Sequence, residues 1–152
     1  MLEYDFEESI GFWVMMTARM FERAMNDELA QHGITYRQCQ VLGWLALEGD
    51  LTQSELADRM RVEAPTLVGI LDRMERNGWI RRQTSRMDRR KKRISPTPQV
   101  QPVWKKITRC ARRVRARAVR DLNEDELAVV KRVLARIQEN LKTKSIVEET
   151  VS

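Results

Sequence analysis

The residues of this chain best placed to do chemistry are cations at fixed spacings, not a nucleophile or a metal cluster. Arg86, Arg89 and Arg90 crowd around one acid, Asp88, while Thr66, Arg73 and Arg76 recur at steps of seven and three, which a helix places along one face. Guanidinium groups and a hydroxyl in such arrays bind anionic oxygens and the hydrogen-bonding edges of bases. They do not by themselves make or break bonds. Groups that could are missing. His32 is the one histidine, it has no ligand-like spacing to Cys39 or Cys110, and neither a nucleophile elbow nor a phosphate-cradling glycine loop occurs. The expectation is a protein that is not an enzyme and takes no metal and no cofactor. Cys39 and Cys110 read first as small buried hydrophobes.

Charge points the same way. The net charge of +6 is unevenly spread: Arg81 to Arg120 holds 16 of the 28 lysines and arginines against the single acid Asp88. A surface built only for solubility mixes its signs, so this asymmetry implies a polyanion, with double-stranded DNA the leading partner and an anionic membrane surface the lesser one. No apolar run approaches the ~20 residues of a membrane span, and the first residues are acidic, unlike a signal peptide. A cytoplasmic location without membrane contact is expected.

The elements that must position these cations are legible around them. Thr52 and Glu55 make a capping-box start for a short helix with Leu56, Ala57 and Met60 inward. A second helix opens near Pro65, which the first turn tolerates because its missing N–H would be unsatisfied there. Leu67, Val68, Ile70, Leu71 and Met74 form its inner face, Asn77-Gly78 its stop, and Thr66, Gly69, Asp72, Arg73 and Arg76 its other face. Trp79–Thr84 and Lys91–Ser95 then read as a hairpin with its tip at Ser85–Arg90, and Leu51 as a very short strand on its edge. Two helices and a basic hairpin in this order make a winged helix-turn-helix, whose second helix enters the DNA major groove.

This stretch resembles the MarR family of bacterial transcription regulators and, within it, the SlyA-like branch. Glu63-Ala64-Pro65-Thr66-Leu67-Val68, Leu71-Asp72, Gly78, Ile80-x-Arg82 and Asp88-Arg89-Arg90-x-Lys92-Arg93-Ile94 fall in the family's order. The resemblance implies a mainly α (α+β) fold with a helical dimerisation region formed by both chain ends. It also implies that Arg90 enters the minor groove with Asp88 holding it in place, and that a small aromatic acid between the dimerisation helices and the DNA-binding part serves as effector. Trp13, Met16, Arg19 and Cys39 are the positions to examine for that acid. The family's peroxide sensors carry a reactive cysteine in the first helix; here that helix has none.

The chain ends fit this plan. Phe6 to Gln31 reads as a long amphipathic helix whose aromatic and methionine stripe is either core and dimer interface or a cavity lining. Thr35 and Gln38 cap a helix from Tyr36 to Glu48, with Cys39, Val41, Leu42, Leu45 and Leu47 on or near its buried side. After Ser95-Pro96-Thr97-Pro98, where relatives show Leu-Thr-x-x-Gly, a helix from Gln99 to Leu122 carries Arg109, Arg112, Arg113, Arg115, Arg117 and Arg120, either a solvated face or a phosphate contact. Asn123 and Glu126 cap a last helix whose apolar stripe wants a partner.

The whole of 1–152 is thus expected to be a single domain, with 35–95 the winged helix-turn-helix and 1–34 plus 96–145 the dimerising part. The functional expectation is a sequence-specific, ligand-responsive repressor. It would bind pseudo-palindromic sites as a homodimer, with half-sites ~34 Å apart. Pro65, Thr66, Arg73 and Arg76 would act from the helix, and Arg86, Asp88, Arg89 and Arg90 from the wing. The alternative is a non-sequence-specific architectural DNA-binding protein. Gly69, inside the second helix, marks either close packing or an altered base preference.

Overall fold

The computed structural model describes residues 4–84 and 92–142. Six α-helices and a three-stranded antiparallel sheet make up these residues, and the chain divides into two compact units, 1–114 and 115–152.

In the first unit, local hydrogen bonds decide where each helix starts. The Ser9 hydroxyl accepts the Phe12 N–H at 3.3 Å, so α1 spans Ile10–Ala30 and begins four residues after Phe6, where the apolar pattern alone would put it. Helix α2, Tyr36–Glu48, has the expected reciprocal cap: Thr35 Oγ1 accepts from Gln38 N–H at 3.2 Å, and Gln38 Oε1 accepts from Thr35 N–H at 3.0 Å. Val41, Leu42 and Leu45 are buried on it. Leu47 is not; it is 73% exposed, because it sits in the last turn and points off the buried stripe.

Thr52 serves twice. It ends strand β1, Leu51–Thr52, and caps α3, Gln53–Met60, by accepting the Glu55 N–H at 3.2 Å while Glu55 accepts the Thr52 N–H at 2.7 Å. That backbone hydrogen bond, with the Thr52 hydroxyl, holds the Glu55 carboxyl below the usual glutamate range. Helix α4, Ala64–Arg76, follows, and then β2, Ile80–Thr84, and β3, Lys92–Pro96. The sheet order is β1-β3-β2, with Leu51 opposite Ile94 and the hairpin paired from Ile80–Pro96 out to Thr84–Lys92.

One core joins these pieces. Leu29, Leu56, Leu67, Leu71, Met74, Ile80 and Ile94 are completely or almost completely buried in it, and each such side chain contributes about 1.5–3 kcal/mol by leaving water. Glycine is favoured at Gly78 by its φ of +72°, a left-handed conformation that L side chains rarely adopt. From there Thr97 closes the junction, its hydroxyl donating to the Gly78 carbonyl and its N–H to Trp79 O.

The helix expected from Gln99 to Leu122 is shorter. A 3-10 turn at Pro98–Val100 precedes α5, Gln101–Ala118, since Pro102 has no N–H to bond back four residues. Ile107, Cys110 and Val114 are its buried residues. Helix α6, Glu124–Lys142, starts with the Asn123–Glu126 cap (2.8 and 2.9 Å) and three acids in the first turn, the sign the helix dipole favours. None of its residues is buried, and Val129, Val130, Val133, Leu134 and Leu141 are exposed. No helix of the described residues is long and apolar enough to cross a membrane.

Candidate nucleic-acid interface

Helix α4 has two faces of opposite character. Leu67, Ile70, Leu71 and Met74 are buried, and this fixes the helix's rotation about its axis. Pro65, Thr66, Gly69, Arg73 and Arg76 consequently face solvent. Pro65 is the second helical residue, not the first, because Glu63 is the N-cap; it is still in the turn whose N–H groups lack intrahelical partners. No side-chain hydrogen bond or ion pair among the described residues engages the guanidinium groups of Arg73, Arg76 or the exposed Arg81 of β2. The guanidinium groups of Arg73 and Arg76, unpaired among the described residues and on the same face of α4 as Thr66, can bind phosphate and base edges without first giving up internal bonds.

Asp72, expected on the same open face, has a different role. Arg82 on β2 reaches back to α4, donating from Nη2 to Asp72 Oδ1 at 2.5 Å and to Glu75 Oε2 at 2.6 Å, and from Nε to Glu75 Oε2 at 2.9 Å. Its backbone N–H donates to Glu75 Oε1 at 3.1 Å. The Arg82 side chain is only 18% exposed. Its hydrogen bonds hold the Glu75 carboxyl below the ordinary glutamate range, and Glu75 in turn raises the Arg82 guanidinium. The cluster clamps the helix to the first strand of the hairpin, and its one guanidinium offsets part of the charge of two carboxylates that would otherwise oppose a polyanion. Arg82 was missed as a site residue. The signal was there in two acids three apart on a helix, followed seven residues later by an arginine on the adjoining strand.

The hairpin is fastened at its other strand too. Arg93 Nη2 donates to Asp50 O at 2.5 Å, and Ser95 Oγ donates to Asp50 Oδ2 at 2.6 Å. Arg86, Asp88, Arg89 and Arg90 lie outside the described residues, between the paired Thr84 and Lys92.

Of the positions considered for an effector, Trp13, Met16 and Arg19 are exposed on α1 and Cys39 is half-buried on α2. A cavity of about 190 Å³ opens among Leu42, Leu45, Ala46, Pro96, Val100, Gln101 and Trp104, and none of the four lines it. Burial pushes the Cys39 thiol up to about 11 and raises that of Cys110 as well. Both are therefore overwhelmingly thiol at neutral pH, and the thiolate is the reactive form. In the native protein at pH 7.5 both should label with iodoacetamide at least about tenfold more slowly than in urea; equal rates would contradict the burial seen here.

On α5, Arg109, Arg112, Arg113, Arg115 and Arg117 are all exposed, as is Arg120 beyond its end. Arg113 is within 3.4 Å of Glu28.

Comparison with known proteins places this arrangement. A sequence model of the MarR family matches residues 32–91, from just before α2 to just before β3. The crystal structure of the transcriptional regulator PA3341 is 33% identical, superposes with a TM-score of 0.80, and matches 90% of this chain and 100% of its own. A MarR family protein from Bacillus stearothermophilus is 25% identical over 86% of this chain and 91% of its own, with a TM-score of 0.73. Wild-type apo MarR from E. coli, at 22% identity, shares the fold: its TM-score is 0.76, over 90% of this chain and 98% of its own. With a relative matched along its whole length and the family's own pattern lying over the helix-turn-helix and the first strand of the hairpin, the chain belongs to the MarR family of transcription regulators.

Proposed function

We propose that this protein is a sequence-specific, ligand-responsive repressor of the SlyA-like branch that binds pseudo-palindromic operators as a homodimer in the cytoplasm. Residues 35–95 form the DNA-binding part and residues 1–34 with 96–145 the dimerising part. Helix α4 lies in the major groove, with Thr66 and Arg73 on base edges and Arg76 on phosphate. Arg90 enters the adjoining minor groove, oriented by Asp88, while Arg86 and Arg89 meet phosphate. A small aromatic acid acts as effector through Trp13, Met16, Arg19 and Cys39, shifting the separation of the two DNA-binding parts by its unequal affinity for two arrangements.

The observation that carries this reading is the two-faced α4: a buried apolar side that sets its rotation and an outer side of threonine and unpaired arginines. The exposed apolar residues of α1 and of the segment before it, from Tyr4 to Phe21, support the dimer, since an uncovered stripe of that size favours a second copy.

Competition with random duplex at physiological salt tests it. The expected result is a specificity ratio of at least about 1,000. A ratio near one would instead favour an architectural protein held by its basic surface. Within a selected operator, Arg73→Ala should weaken the preference for one base pair per half-site by ~1–3 kcal/mol. Equal loss on all sequences would make Arg73 a phosphate contact only.

A further inference from the structure

Gly69 stands at the middle of the exposed side of α4, three residues after Thr66, four before Arg73 and seven before Arg76. Glycine inside a helix lowers its stability, so its presence there calls for a reason. Two reasons are available within a folded chain, and the structure removes both. Gly69 does not have a positive φ, unlike Gly33, Gly49 and Gly78, so any L-residue could adopt its backbone conformation. A Cβ built on it meets no atom of the described residues within 4 Å, so none of the described elements needs the space.

Gly43 on α2 shares both properties, and what sets Gly69 apart is its place on the exposed side of α4 between Thr66 and Arg73. We infer that Gly69 is the point of closest approach between α4 and the bound duplex, where the edge of a base pair packs directly against the helix backbone. The inference rests on the groove reading proposed above. It makes a consistent pair with Thr66, whose short side chain reaches a base edge only if the helix axis comes in close. Arg73 and Arg76, with long side chains, flank the same point and reach outward from it to bases and phosphates. A methyl at position 69 would lift the helix from the groove floor and lengthen the Thr66 contact first. Specificity at the central base pairs of each half-site would follow from a steric fit to backbone as well as from hydrogen bonds.

Stability and binding should then move in opposite directions. Gly69→Ala should raise Tm by about 2–4 °C and weaken binding to a duplex selected from a random pool by the wild-type protein by at least about tenfold. Its affinity for random duplex, which phosphate contacts dominate, should stay unchanged. Gly43→Ala is the control: Gly43 is a second mid-helix glycine with open space around it, on α2. It should show the rise in Tm without the loss in binding. Unchanged or tighter binding by Gly69→Ala would overturn the inference, as would a fall in its Tm or an equal binding loss from Gly43→Ala. Thr66→Ala and Arg73→Ala separate this from the underlying reading. If both weaken binding to the selected duplex and Gly69→Ala does not, only the close approach fails; if neither does, the placement of α4 in the groove fails with it.

Discussion

Replacing Arg82 by alanine should cost the protein about 1–2 kcal/mol of stability and roughly 100-fold in operator affinity. The stability figure is held down because Asp72 and Glu75 are 48% and 39% exposed, so water screens much of the pairing. The binding figure is larger for a geometric reason. Without the guanidinium, two carboxylates one helical turn apart on α4 lose their counter-charge and stand among Arg73 and Arg76, where phosphate should sit. At the same time α4 loses its clamp to β2, so helix and hairpin no longer present a fixed relation to the duplex. A dimer would suffer this twice per operator, and ~1.4 kcal/mol per half-site already gives the 100-fold. Arg82→Lys keeps a charge but not the fork that spans both acids, and should recover only part of the loss. An Arg82→Ala protein that binds its operator normally would reduce the cluster to ordinary surface pairing.

The same cluster sets a pH signature. The folded-state pKa of Glu75 lies below its unfolded value, so its contribution is present above the ordinary glutamate range and lost as pH falls through the folded value. Wild type should lose stability through this group on acidification below about pH 4. In Arg82→Ala the two acids repel each other, and protonation relieves them. The gap in Tm between the two proteins should therefore narrow as pH falls, and a gap independent of pH would point to lost packing instead.

Features that one turn of chain decides were legible before any coordinates. Thr35 with Gln38, Thr52 with Glu55 and Asn123 with Glu126 each form the reciprocal cap their spacing implies, and Pro65 and Asn77-Gly78 bracket α4 within a residue. The buried face of α4 also followed, since its period is that of a helix and its core partners are large aliphatics. Features that depend on what a distant segment does were not legible. Asp72 has the composition of a solvated residue, and only the approach of β2 makes it a partner of Arg82. Gly78 must be glycine for its φ of +72°, which the Asn77-Gly78 stop implied, whereas the approach of the Gln99 side chain to it was not legible. Cys110, read from the sequence as a small buried hydrophobe, is fully buried, three residues after Ile107 and four before Val114 on one face of α5.

The largest loss of binding is expected from Arg90→Ala. Arg90 lies between strands whose last described pair is Thr84–Lys92, and those strands are anchored independently of it: β2 by Arg82 to α4, and β3 by Arg93 and Ser95 to Asp50. Its removal should therefore leave the fold and Tm essentially unchanged, unlike the removal of Arg82. Narrow A·T-rich minor grooves concentrate negative potential, and a guanidinium is the side chain that fits them. At about 2 kcal/mol, mid-range, for each of two arginines in a dimer, operator affinity should fall by roughly 1,000-fold. The loss should be greatest on operators with A·T pairs beside the half-sites and should shrink when those pairs are changed to G·C, a dependence that a plain phosphate contact does not have. Asp88→Ala should cost less, because a carboxylate that orients a cation adds order but no contact of its own. If Arg90→Ala binds as wild type does, the hairpin tip has no part in recognition, and specificity must come from α4 alone.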